Sequence, residues 1–202
     1  MEAPFALWGS NSGAIAGVDE VGRGALFGPV VAAAVILPPD RHSHLIATGV
    51  TDSKKLTPLD RQRLMAEILK MAVACRIGIA SVQEIDRHNI LQASLLAMHR
   101  AIARLTPQPQ FCLIDGNQKV PNLLMPQQTL VKGDEKCLAI AAASIVAKVW
   151  RDRLMERMAV KYPGYDIEKN KGYGTAKHRA GLAKLGATRQ HRLSFSPCRG
   201  IH

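Results

Sequence analysis

Acidic residues are scarce in this chain. Over 202 residues, 16 Asp and Glu stand against 27 Lys and Arg, a formal net charge of +11. The imbalance disfavours basic partners and suits either a polyanionic partner or simply a soluble basic protein. Cysteine is equally sparse: Cys75, Cys112, Cys137 and Cys198 form no pair at metal-clip spacing, and three lie in apolar segments. That excludes a cysteine zinc clip and a disulfide scaffold, and it suits free thiols in a reducing compartment. No apolar run is longer than a strand, so a bilayer-spanning helix is not expected. Met1 to Ser10 carries an early Glu2 and no long apolar core, unlike a signal peptide. Internal repeats and low-complexity tracts are lacking as well. These absences predict a soluble cytoplasmic protein that meets no membrane; a monomer is the simple default, and no protein partner is deducible. The length suits one domain over residues 1–202, with a core of about 14–160 and a basic segment of about 161–202.

What is present is unevenly placed. From Lys161 onward nine Lys and Arg face only Asp166 and Glu168, and all three tyrosines, Tyr162, Tyr165 and Tyr173, lie in the same stretch. Basic side chains interleaved with aromatics hold phosphates and stack on sugars or bases.

The apolar pattern predicts a mixed sheet flanked by helices. Ile15 begins a short strand, Val30 to Leu37 reads as a central strand apolar on both faces, and Ala74 to Val82 as a third. Phe111 to Asp115 and Gln128 to Lys132 supply two more. Thr57-Pro58 opens a helix running to about Met71. Further helices are expected at Ile85-Asp86, Asn89 to Arg104, Lys136 to Lys161 and Ala176 to Leu185, the last as a small annex.

Four acids stand where these elements end or turn: Asp19, Glu20, Asp115 and Asp134. Sites gather outside the carboxyl ends of strands in open α/β sheets. If the first and fourth strands are neighbours, Asp19 and Asp115 converge, and Asp134 joins them if the long helix starts at the same rim. Clustered carboxylates repel one another unless a cation neutralises them, and all-oxygen donors favour Mg²⁺ or Mn²⁺. Adjacent strand residues point to opposite faces, so Asp19 and Glu20 share an ion only if the strand ends or bulges there. Taken singly, Asp134 suits an ordinary N-cap and Asp115-Gly116-Asn117 a simple turn.

Gly22-Arg23-Gly24 followed by Gly28 has the wrong spacing for a dinucleotide loop, and a strand follows it. Glycines beside acids suit close approach of a sugar-phosphate backbone, or simply a hairpin turn. Lys54 and Lys55 fit a phosphate contact or a solvated loop equally well. Tyr173 between glycines is placed to stack on a sugar or base, or to pack on the last helix. His178 and His191 receive no role.

Val18-Asp19-Glu20-Val21-Gly22-Arg23-Gly24, Asp52-Ser53-Lys54-Lys55-Leu56, Ile85-Asp86 with Asn89-Ile90, Leu113-Ile114-Asp115-Gly116-Asn117, Lys132-Gly133-Asp134, Ile140 to Val149 and Lys171-Gly172-Tyr173-Gly174-Thr175 resemble, in order and spacing, bacterial type 2 ribonuclease H. The resemblance runs from Ile15 to Pro197. It implies a ribonuclease H-like fold: a mixed five-stranded sheet flanked by helices, with a C-terminal helical segment. It implies hydrolysis of the RNA strand of RNA–DNA hybrids and cutting 5′ of single ribonucleotides in duplex DNA, leaving 3′-hydroxyl and 5′-phosphate ends. Such an enzyme removes misincorporated ribonucleotides and primers. Asp19, Glu20, Asp115 and Asp134 match the family's metal-binding catalytic acids. Gly22, Arg23 and Gly24 match the loop that senses the ribose 2′-hydroxyl, and Tyr173 matches the tyrosine that packs on the neighbouring deoxyribose. Ala25, Phe27 and residues 166–170 depart from the family pattern without removing a carboxylate.

The expected mechanism is two-metal phosphodiester hydrolysis, one ion activating water and the other stabilising the leaving 3′-oxygen. A DNA nuclease on the same carboxylate plan and a non-catalytic hybrid-binding protein are the alternatives.

Overall fold

The structure, a computed structural model, describes residues 14–200. The Met1 to Ser10 expectation lies outside the described residues. The elements follow in the order β1 (Ile15–Val21), β2 (Val30–Ile36), α1 (His42–Ala47), α2 (Pro58–Met71), β3 (Ala74–Ala80), α3 (Val82–Ala103), β4 (Phe111–Asp115), β5 (Gln127–Leu130), α4 (Gly133–Lys136), α5 (Leu138–Lys161), α6 (Ile167–Asn170) and α7 (Ala176–Leu185). The strands form one mixed sheet in the order β3-β2-β1-β4-β5. β1, β2 and β3 run antiparallel, and β4 and β5 lie parallel to β1.

Local chemistry explains the boundaries. Thr57 caps α2 by accepting from the Asp60 amide, with proline in the first turn. Ser81 and Glu84 form a capping box at the start of α3. The two helices expected on either side of residue 88 are one element with a break: Asn89 has φ 69° and its side chain accepts from the Gln92 amide, starting the second half afresh. The short helix α1 was not expected; its six residues are too few to show a helical period.

The sheet is covered on both faces. Val18, Ala32, Ala34 and Ile36 face α3, while Ala33, Val35 and Leu113 face α5. β2 is buried along its whole length, as its unbroken apolar run requires. Gly17 brings α5 unusually close. A Cβ there would stand 2.2 Å from the Ala139 carbonyl carbon, so only glycine lets the start of α5 rest on β1. Ala141, Ala142 and Ala143 are fully buried in the same contact. No helix among the described residues is long and apolar enough to cross a membrane.

The chain after α5 folds back over the turn that follows β1. Ala25 bridges to Tyr173 and Phe27 to His191, so the loop is clamped between two stretches of the basic segment.

Candidate active site

β1 and β4 are parallel neighbours, but their pairing stops at Val18 opposite Ile114. Beyond that point β1 overhangs the sheet rim, carrying Asp19 and Glu20. The strand neither bulges nor ends between them: Asp19 pairs with Ala33, Glu20 with Ala32 and Val21 with Val31 in unbroken register. The two carboxylates therefore leave opposite faces and meet only around the open end. Asp115 closes β4 at the same rim, and its Oδ1 accepts from the Gly133 amide at 2.7 Å. That bond ties the turn carrying Asp134 to β4. Asp134 is not the N-cap of the long helix. It sits in the first turn of the separate helix α4, whose cap position is Lys132 in the left-handed region, and Cys137 breaks the chain before α5.

The electrostatics describe one cluster. Burial holds the Asp19 carboxyl well above the usual range, and the charges of Glu20 and Asp115 raise it further. Burial also raises Glu20 against the opposing pull of Arg23, whose Nη1 donates to Oε1 at 3.1 Å. Burial raises Asp115, with Asp134 adding and the Gly133 amide and Lys54 subtracting. Lys54 thus belongs to the site. Its Nζ lies 3.1 Å from Asp134 Oδ2, and although partial burial works against the ammonium, Asp134, Asp52 and Asp19 together raise its pKa. Asp52 fixes this lysine's backbone by accepting from its amide, and Ser53 hydrogen-bonds Ser144 on α5 at 2.9 Å. Lys55 pairs with Glu135, outside the cluster, at 3.8 Å.

Among the described residues, no group of three or more His, Cys, Asp and Glu side chains is arranged so that it could hold a metal ion as it stands. Carboxylates gathered this way repel one another, and added positive charge would relieve that. The donor set fits a hard divalent cation: its donors are carboxylate oxygens, at least half withdrawn from water, with a lysine ammonium already drawn among them.

Beside the acids lies the glycine loop. Gly22 has φ +91°, and a Cβ there would come within 2.2 Å of Arg151 Nε, so this glycine is required by packing underneath the loop. Arg23 and Gly24 are exposed, and a Cβ added at Gly24 would stand 4.0 Å from the Tyr173 ring. Tyr173 is half-buried, with the Arg151 guanidinium 5.6 Å from its ring centroid.

The residues beneath the loop escaped the sequence reading. Arg151 and Arg192 are fully buried. Arg151 donates to the carbonyls of Pro29, Phe27 and Lys171, and Arg192 to those of Gly28 and Arg23. Asp86 accepts from the amides of Leu193 and Ser194, anchoring the strand of chain that carries Arg192. One signal was available: Ala147, Arg151 and Met155 recur every four residues on the buried stripe of α5. Phe27, one of the departures noted above, is fully buried with its ring edge-on to His191 at 5.1 Å. Ile167 and Asn170, from the departing 166–170 stretch, are buried too, and Asn170 donates to the Tyr165 carbonyl and accepts from the Gly172 amide.

A mixed sheet in this order, with acids at the overhanging end of its central strand, defines a ribonuclease H-like hydrolase. The comparisons narrow the class. The Ribonuclease HII family model matches residues 16–198. A Ribonuclease HII from Trichodesmium erythraeum is 67% identical over 183 residues, covering 91% of this chain and 87% of its own. The crystal structure of ribonuclease H2 from Pyrococcus horikoshii OT3 superposes with a TM-score of 0.81 at 26% identity, covering 92% of this chain and 95% of that one. The RNase HII of Archaeoglobus fulgidus, solved as a complex with PCNA, gives 0.71 at 29% identity over 85% and 87%. The chain belongs to the ribonuclease HII family and is a ribonuclease H, an endonuclease acting on RNA–DNA hybrids.

Proposed function

We propose that Asp19, Glu20, Asp115 and Asp134 are the catalytic acids, and that they work with Mn²⁺ or Mg²⁺ to cut 5′ of a ribonucleotide embedded in duplex DNA. The observation that carries this reading is the convergence of the four acids on one rim, with three carboxyls raised by burial and a lysine drawn in as counter-charge. A bound divalent ion would supply what the acids lack, activation of a water and stabilisation of the leaving 3′-oxygen. The protein's own share is positioning. The Gly133 amide fixes Asp115, and the Glu20 amide donates to Asp19 Oδ1 at 2.7 Å. Arg23 steadies Glu20 from the glycine loop.

Backbone groups at Gly22 to Gly24 would read the ribose 2′-hydroxyl, and Tyr173 would pack on the deoxyribose beside it. The basic segment from Lys161 would add sequence-independent, salt-sensitive affinity for the phosphates. On this reading the chain is one ribonuclease H-like domain with residues 161–202 as its nucleic-acid-binding appendage, working in the cytoplasm to remove misincorporated ribonucleotides and primers. The archaeal relative's complex with PCNA makes a protein partner part of the question for this chain.

The test is duplex DNA carrying one ribonucleotide, incubated with and without Mg²⁺ or Mn²⁺. A single cut 5′ of the ribonucleotide, dependent on the ion, is expected. Cleavage of all-DNA duplex at the same rate, or cleavage persisting in EDTA, would overturn the reading.

A further inference from the structure

Under the glycine loop, two histidines form a buried pair with no exposed edge. His178 is 0% exposed and His191 1%. Their Nε2 atoms lie 3.2 Å apart. Two ring nitrogens at that distance share one proton, so one is donor and the other acceptor. The direction is fixed from outside the pair. The Thr188 amide, which can only donate, points at His191 Nδ1 from 2.9 Å. His191 therefore carries its proton on Nε2 and donates to His178 Nε2. His178 in turn carries its proton on Nδ1, which lies 2.9 Å from the carbonyl oxygen of Tyr173.

We infer that His178 is a positioning residue for Tyr173, held in the Nδ1–H tautomer by His191, so that the two rings fix where the tyrosine meets substrate. The Tyr173 carbonyl takes the His178 bond and a second from the Thr175 amide at 2.8 Å, while its own amide donates to the Asn170 carbonyl. The peptide groups on both sides of this side chain are thus tied down. The same pair supports the glycine loop, because Phe27 bridges to His191 and packs edge-on against it. The groups facing the imidazoles are the Phe27 and Tyr165 rings, and the Tyr165 hydroxyl is committed to the Gly186 carbonyl. Among the described residues no carboxylate hydrogen-bonds either ring, and burial pushes both histidines below the usual range, which keeps them neutral. A neutral pair can pass a fixed hydrogen-bond direction; a charged one would turn an N–H toward the Thr188 amide.

The inference rests on the proposed role of Tyr173, and two measurements separate the two. First, nitrogen-15 NMR of the wild-type protein at neutral pH reads the tautomers directly. His178 is expected as the Nδ1–H form and His191 as the Nε2–H form, both neutral. The same tautomer at both, or an imidazolium at either, overturns the relay whatever Tyr173 does. Second, His178→Asn keeps a donor near Nδ1, for the Tyr173 carbonyl, whereas His178→Gln keeps a polar group near Nε2, for His191. The readout is the ratio of kcat/KM for a single-ribonucleotide duplex to that for an all-RNA strand paired with DNA. His178→Gln is expected to lose roughly 10-fold of that preference, the scale of a small misplacement. His178→Asn should keep most of it. Equal losses in both variants, or no loss in His178→Gln, mean that the pair serves packing alone. If the wild type itself shows no preference, it is the Tyr173 role that fails, and the NMR result stands apart from it.

Discussion

Two regions of buried charge face each other across the glycine loop, and they are built in opposite ways. At the sheet rim negative groups crowd together, and Lys54 and Arg23 at its margin are the cations that reach them. Under the loop Arg151 and Arg192 are buried against main-chain carbonyls, with no ion pair to either among the described residues. Carbonyls satisfy the geometry of a guanidinium but not its charge, so each region keeps a surplus of one sign. A surplus of buried charge costs stability in the free protein. On the proposed reading it becomes useful when a cation meets the rim and a phosphate backbone meets the loop. Among the described residues the rim's acids keep only Lys54 and Arg23 as counter-charges, while hydrogen bonds close the platform beneath the loop apart from Arg192 Nη2.

The largest break in that comparison comes from removing one acid. Asp115→Asn keeps an oxygen for the Gly133 amide and discards a charge. If the rim's role is to hold cations, cleavage of an RNA–DNA hybrid should fall by about three orders of magnitude, the scale of several kcal/mol of transition-state stabilisation. Binding to hybrid, which the proposal assigns to the loop and the basic segment, should change less than about threefold. Retained cleavage would remove Asp115 from the catalytic group. A matching collapse in binding would mean that the rim and the platform are not separate.

Acid should then pull the regions apart. Carboxyls raised in the folded state contribute stability that is complete at low pH and lost as pH rises through their folded values. Histidines lowered in the folded state do the reverse. His191, held at about 4, contributes stability above the ordinary histidine value of 6.5 and loses it as pH falls from there toward about 4. In EDTA, the melting temperature of Asp19→Asn should exceed that of wild type at pH 8, with the gap closing on acidification. His191→Gln should lie below wild type at pH 8 and converge with it as pH approaches 4. Parallel melting curves for these variants across the pH range would refute the opposition.

How far the sequence foretold these regions follows from the same contrast. The rim was readable because acids at strand ends are conspicuous in an apolar chain, and because the first and fourth strands were recognisable as such. The unbroken register through Glu20 was not readable, since alternation alone called for a strand end or a bulge. The end of β4 pairing solves that problem, and only the sheet reveals it. Asp134 could not be separated from an ordinary helix cap, because the break at Cys137 leaves no mark in composition. The platform was almost invisible. Arg192 and His191 look like any basic tail in the sequence, and their burial comes from long-range contacts with Gly28, Arg23 and Phe27, more than 160 residues away. Arg151 alone left a signal, unused in the sequence reading, by falling on the buried stripe of its helix.

The finest distinction concerns Lys54, a positive group at the margin of the negative region. Its side chain is 79% exposed while Asp134 is 6% exposed, so the pair should be worth under about 1 kcal/mol. Lys54→Met should accordingly lower the melting temperature in EDTA only slightly. Its effect on the rim should be larger than its effect on stability. An ammonium resting on Asp134 competes with any divalent ion that needs the same oxygen, so removing it should tighten the Mg²⁺ or Mn²⁺ midpoint by up to about fivefold, the equivalent of the lost pairing energy. Thermal shift against metal concentration in the absence of nucleic acid measures this without relying on turnover. A midpoint that weakens instead would show that Lys54 helps to assemble the acids, and that its charge is part of the site the ion enters.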